Sequence, residues 1–120
     1  MILRINTGLR PIAGKPPFDH RIGVAVPLRA PDANGLPTKD EADALKKIED
    51  EMLATFHASR QTLLAVVITT SGFREFVFYT SVARDVIPTM ELLRTRITSH
   101  EVQFYIKPDK SWEVFQSFLP

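Results

Sequence analysis

Between Thr69 and Glu75 the chain gathers three hydroxyls, a guanidinium and a carboxylate around Ser71-Gly72. A guanidinium is a planar fork of donors that matches a carboxylate or a phosphate, and hydroxyls add neutral partners beside it. Thr69, Thr70, Arg74 and Glu75 therefore form a candidate small-ligand site. The same residues also suit a plain turn, in which Ser71 and Gly72 shape the bend and the two charges face water. The turn reading stands ahead of the ligand reading.

The adjoining stretch Gly72-Phe73-Arg74-Glu75-Phe76-Val77-Phe78-Tyr79 is similar to the octamer whose aromatics stack on bases in RNA-recognition sheets. The match breaks in two places. Ser71 stands where the octamer has a basic residue, and Glu75 is an extra residue before Phe76. Phe73 and Phe76 then fall on opposite faces of a strand and cannot share one platform. The stretch reads as an ordinary core strand. The histidines, His20, His57 and His100, have no metal-ligand spacing between them. Each reads as a surface or strand-end residue, with His57 placed to favour a helix C-terminus. Glu49-Asp50-Glu51 reads as a solvated helix face, with Lys46–Glu49 and Lys47–Glu51 spaced to pair. No phosphate loop, nucleophile elbow or dinucleotide fingerprint is visible. No residue is assigned to catalysis, to a metal or to a cofactor.

The elements that must position these residues can be read from periodicity. Leu63–Thr70 and Phe73–Thr80 are two β-branched and aromatic runs joined by Ser71-Gly72, which predicts a β-hairpin. With a two-residue turn, Val66 faces Val77, Leu64 faces Tyr79 and Thr70 faces Phe73. Leu63, Ala65, Val67, Phe76 and Phe78 then share the other face. Both faces are apolar, so both need cover; two helices cover one, and the candidates for the other are the C-terminal helix, the N-terminal strand region or a second subunit. Ile2–Leu9 reads as a short strand broken by Gly8, and residues 11–17 as a proline-rich loop. Ile22, Val24, Val26 and Leu28 alternate as in a strand with one buried face. Thr38 and Glu41 have the capping-box spacing, and Ala42, Leu45, Ile48, Met52 and Phe56 follow at helical intervals, which predicts a helix over Lys39–Ser59. Pro88 fits only a first turn, so a second helix is expected from about Val86 or Ile87, with Val86, Met90, Leu93 and Ile97 inward. Glu101–Lys107 reads as a strand, and Asp109 as the cap of a short helix over Lys110–Phe118.

The order after the first strand is β-α-β-β-α-β. It predicts an α+β fold, a ferredoxin-like split βαβ sandwich with an extra N-terminal strand and a short C-terminal helix. One domain is expected over 1–120: strand and proline-rich loop 1–17, sandwich 18–107, short helix 108–120. The 120 residues carry 15 basic and 14 acidic side chains, a net charge of +1, which gives no strong field for nucleic acid or an anionic membrane. There is no cysteine, so disulfides and thiolate chemistry are excluded and a reducing cytoplasm is the expected setting. No apolar run is long enough to span a membrane.

Several stretches taken in order carry a family resemblance. They are Gly35-Leu36-Pro37, Ile48-Glu49-Asp50, Thr70-Ser71-Gly72-Phe73-Arg74-Glu75-Phe76, Phe78-Tyr79-Thr80, Asp109-Lys110-Ser111-Trp112 and Phe118-Leu119-Pro120. The sequence from about Ile2 to Pro120 resembles the bacterial domain of unknown function 695. The resemblance implies no established activity and carries over no catalytic residue. The layout is also similar to that of the regulator of ribonuclease activity B, an inhibitor of an RNA-degrading endonuclease. That protein is strongly acidic and this sequence is not.

Three functions are expected in order. First comes a cytoplasmic protein-binding or regulatory module, non-catalytic and expected to be a homodimer in the sense that a second copy would cover the surplus sheet face; Leu63, Val67, Phe76 and Phe78 are its candidate interface. Second comes a small-ligand-binding domain or weak enzyme at the hairpin tip. Third comes single-stranded RNA binding.

Overall fold

The computed structural model describes residues 1–57 and 60–120. In chain order the elements are β1 (Ile2–Ile5), a 3-10 turn (Thr7–Leu9), β2 (His20–Pro27), α1 (Lys39–His57), β3 (Thr62–Thr70), β4 (Phe73–Thr80), α2 (Ala83–Arg96), β5 (Gln103–Pro108) and α3 (Glu113–Phe118). The strands form one antiparallel sheet in the order β1-β3-β4-β2-β5. Without β1 this is the strand order of a split βαβ sandwich, so the expected fold is the observed one.

The alternation of β2 sorts the two faces. Ile22, Val24 and Val26 are fully buried on the helix side, together with Leu45, Ile48, Met52 and Phe56 of α1 and Val86, Met90 and Leu93 of α2. Phe76 and Phe78 of β4 point the same way, and the Phe78 ring lies 5.3 Å from that of Phe56. The opposite face carries Val66, Val77 and Tyr79 and is sealed from within the chain. Leu3, Ile5, Leu9 and Phe18 cover it from the N-terminal segment, and Trp112, Phe115 and Phe118 cover it from the C-terminal one. Trp112 stacks on Tyr79 at 4.0 Å and 6°, meets Phe115 edge-on, and donates from Nε1 to the Phe18 carbonyl at 2.7 Å. Such ring pairs add about 0.5–1.5 kcal/mol each beyond plain burial.

The expected interface set is therefore corrected. Phe76, Phe78 and Val67 are not a surplus surface; they lie beneath the helices, with Phe76 and Phe78 at 0% exposure. Leu63 is half-buried at the free end of the β3 edge. The closed face also removes the stacking platform that RNA binding would need.

The hairpin has the expected two-residue turn, with Thr70 opposite Phe73 and both Ser71 (φ 51) and Gly72 (φ 87) left-handed. That is the turn geometry whose twist suits a tight hairpin. A bulge lies between Leu64 and Val66, so Leu63 rather than Leu64 pairs with Tyr79, and Leu64 pairs with Phe78. One extra residue in one strand re-sorts every side chain beyond it. Leu64 thereby joins the helix side and Ala65 the other face.

Other boundaries moved for local reasons. β1 ends at Ile5 because Asn6 turns the chain, its Oδ1 accepting from the Gly8 amide. α1 reaches His57, and the rest of its expected span lies outside the described residues. α2 begins at Ala83 with Pro88 inside it. Pro88 sits on the exposed side of the helix, where the carbonyl it leaves unpaired is open to water. α3 starts at Glu113, later than expected, because Trp112 adopts φ 59. Asp109 still acts as its anchor, Oδ1 accepting from the Glu113 amide at 2.8 Å.

Candidate functional site

Strand alternation divides the four residues of the expected ligand site. Thr69 and Arg74 are cross-strand partners on the helix side, and Arg74 Nε donates to Thr69 Oγ1 at 2.8 Å. Thr70 and Glu75 belong to the other face, where Glu75 accepts from the Tyr105 hydroxyl at 3.0 Å. The tip itself is occupied by backbone pairing: the Gly72 amide donates to the Gly35 carbonyl and the Leu28 amide to the Gly72 carbonyl. No four-residue site exists at the tip.

The half that remains has new neighbours. Arg4 pairs across from Val67 and Ile2 from Thr69, which sets the Arg4 side chain on the helix side of β1. Lys46 and Glu49 of α1 are three residues apart and face this sheet edge. Arg4, Lys46, Glu49, Thr69 and Arg74 surround a cleft of about 180 Å³ floored by Ile2 and Val67. Glu49 is buried and ion-paired with Arg4, so the acidic run is not wholly solvated as expected. Lys46 pairs with Asp50 at 2.7 Å, one turn along, instead of with Glu49. Arg74 is different. Among the described residues no carboxylate lies within ion-pair distance of it. Burial, and then the neighbouring Arg4 charge, push its pKa down, with Glu49 opposing. A guanidinium so perturbed stays a cation, but one held in a crowded, half-dry place with an unanswered charge. An anion would answer it.

Two further polar clusters are buried, and their bonds show what each holds together. Asp109 Oδ2 accepts from Arg21 at 2.7 Å and from the Tyr79 hydroxyl at 2.8 Å. With the Glu113 amide on Oδ1, one carboxylate joins β2, β4 and α3. Burial tends to raise the Asp109 pKa, but the Glu113 amide, Tyr79 and Arg21 outweigh it and hold the carboxyl below its ordinary range. Burial, helped by the bond to Asp109, pushes the Tyr79 phenol well above its ordinary value. Among the described residues, Arg21 Nε is buried without a hydrogen-bond partner.

The second cluster is Glu41, His100 and Ser99. Glu41 Oε2 meets His100 Nε2 at 2.7 Å, and His100 Nδ1 meets Ser99 Oγ at 3.0 Å. The order of groups is that of a nucleophile, base and acid. Glu41, however, also accepts from the backbone amides of Arg29 and Ala30. It pins the β2–α1 loop to the turn before β5, as a buried strut does. His100 is therefore buried rather than superficial, while His20 is half-buried against Asp19. The side chain of His57 lies outside the described residues. No group of three metal-ligating side chains occurs among the described residues, and no helix is long and apolar enough to cross a membrane.

Sequence reasoning found Thr69 and Arg74 but missed Arg4, Lys46 and Glu49. Nothing in the sequence pairs β1 with β3, and that pairing alone brings Arg4 to the cleft.

Fold and cleft together define an α+β sandwich with an added edge strand and a cationic cleft where that strand meets α1. The family of unknown function 695 matches over residues 1–120, and the chain belongs to it. No curated protein and no solved structure matches the chain; the likeness of layout to the regulator of ribonuclease activity B finds no support there.

Proposed function

We propose that this protein is a ligand-binding module of the bacterial cytoplasm that takes its ligand by an anionic group at the Arg74 cleft. The observation that carries the reading is the Arg74 guanidinium: half-buried, steadied at Nε by Thr69, and with no carboxylate partner among the described residues. The motive for a second copy on the sheet was a bare apolar face, and that face has its own cover. Binding without turnover is the economical reading, because the groups around the cleft are cations, a hydroxyl and a carboxylate already paired.

The test is titration with acetate and with inorganic phosphate, followed by amide chemical shifts. Shifts should centre on Thr69, Arg74 and Lys46. Arg74→Ala should weaken the effect at least about tenfold, the value of one charge-assisted contact, while leaving the melting curve in place. Absence of shifts at these three residues with either anion would refute the reading.

A further inference from the structure

The Arg74 cleft does not end at Arg4. Arg4 and Val67 also wall a second hollow of about 340 Å³, whose other lining includes Leu9, Leu53, Leu63 and Leu64. Leu53, Leu63 and Leu64 are in turn shared with a third hollow of about 330 Å³ that runs to Phe56 and Arg60. The three lie in series along the edge where α1 crosses the sheet.

The groove has a structural cause. β1 pairs with β3 only from Val66 to Thr69. Asn6 adds a bond from its amide to the Ala65 carbonyl and then turns away. β3 continues back to Thr62 paired with β4 on one side and, among the described residues, with no strand on its outer edge. Leu53, Leu63 and Leu64 are left half-buried, so the fold gathers apolar side chains there without sealing them. Apolar surface left open beside an unanswered cation has the layout of a site for an amphiphile.

Charge matching narrows the head group. Arg4 is answered by Glu49 and Lys46 by Asp50. Of the three cations around the Arg74 cleft, Arg74 is the one with no ion-pair partner among the described residues, so one negative charge fits there. A phosphate monoester would bring a second charge beside the buried Glu49, at a cost.

We infer that the ligand is a single-chain monocarboxylate, with its carboxylate on Arg74 and its hydrocarbon tail along the Leu53–Leu64 groove. This rests on the reading of the Arg74 cleft as the anion site and adds the tail to it. Free carboxylic acids and membrane lipids share this chemistry; one groove takes one chain, which favours the free acid.

The experiment is calorimetry with straight-chain carboxylates from acetate to decanoate, below their micellar concentrations. Affinity should rise about fourfold per added methylene and level off once the groove is filled. Leu53→Asn should flatten that rise while leaving acetate binding unchanged, and Arg74→Gln should weaken every length by a similar factor. The chain-length series on the unaltered protein needs no variant to fold. Acetate binding with no dependence on length overturns the tail and leaves the anion site standing. Failure of every carboxylate overturns the monocarboxylate, and the anion site falls with it only if inorganic phosphate fails as well. Decyltrimethylammonium binding as well as decanoate, or binding to phosphatidylglycerol vesicles without binding to monomeric decanoate, overturns the assignment of a free acid.

Discussion

Changing Asp109 to Asn should unfold the C-terminal cover of the sheet at far lower denaturant. The carboxylate serves three donors: Arg21 and Tyr79 on one oxygen, the Glu113 amide on the other. An asparagine keeps one oxygen, and whichever way it turns its NH₂ faces a donor. Among the described residues Arg21 is then a buried cation with no counter-charge, and its Nε already lacks a hydrogen-bond partner there. Stranding one member of a buried pair costs about 3–5 kcal/mol. A chain of this size is stable by roughly 6–18 kcal/mol. With a urea slope of about 2 kcal/mol per molar, the midpoint should fall by about 1.5–2.5 M. Trp112, the single tryptophan, stacks on Tyr79 and reports the transition by fluorescence. Arg21→Met in the same chain removes the stranded cation and should recover about 2 kcal/mol or more. A single variant within about 1 kcal/mol of the parent, or a double variant no better than the single, would refute the reasoning.

Glu41 gives a pH dependence with a definite sign. Burial pushes its carboxyl up, yet the Arg29 amide, His100 and the Ala30 amide prevail and leave it below the ordinary 4.5. A depressed folded pKa means stability that is present above about pH 4.5 and lost as the pH falls through the folded value. Glu41→Gln should cost about 1.5–3 kcal/mol at neutral pH and should flatten the acid limb of a urea-midpoint-against-pH curve. Gly23 is a separate case. A Cβ there would lie 2.1 Å from the Tyr105 ring, so Gly23→Ala must swing that ring away and break its bond to Glu75, for about 1–2 kcal/mol. In a Tyr105→Ala chain the same substitution should cost less than about 0.5 kcal/mol, as a double-mutant cycle would show.

What could be read beforehand was whatever depends on local repetition. The alternation of Ile22, Val24 and Val26, the stripe from Leu45 to Phe56 and the Ser71-Gly72 turn each follow from one stretch of chain, and the split βαβ order follows from them. What escaped depends on partners distant in sequence. Glu49 looks like one more solvated acid until Arg4 arrives from β1, 45 residues away. His100 looks superficial until Glu41, 59 residues away, meets it. The bulge at Ala65 has no glycine to announce it, yet it decides which of Leu63 and Leu64 reaches the helix side. The cover of the second face was foreseen only as a choice among three candidates, and two of them, the N-terminal segment and the C-terminal helix, share the work.

That sharing has a temporal side. Synthesis runs from one end, and the hydrogen bond from Trp112 to Phe18 closes across 94 residues. Tyr79 and Val77 leave the ribosome some thirty-odd residues before Trp112 does. At roughly 5–20 residues per second, the sheet stands half-roofed for a few seconds, with its helices able to dock and its other side still greasy. For that interval the nascent chain is a client for whatever binds exposed apolar surface, and release comes only when the last turn swings in.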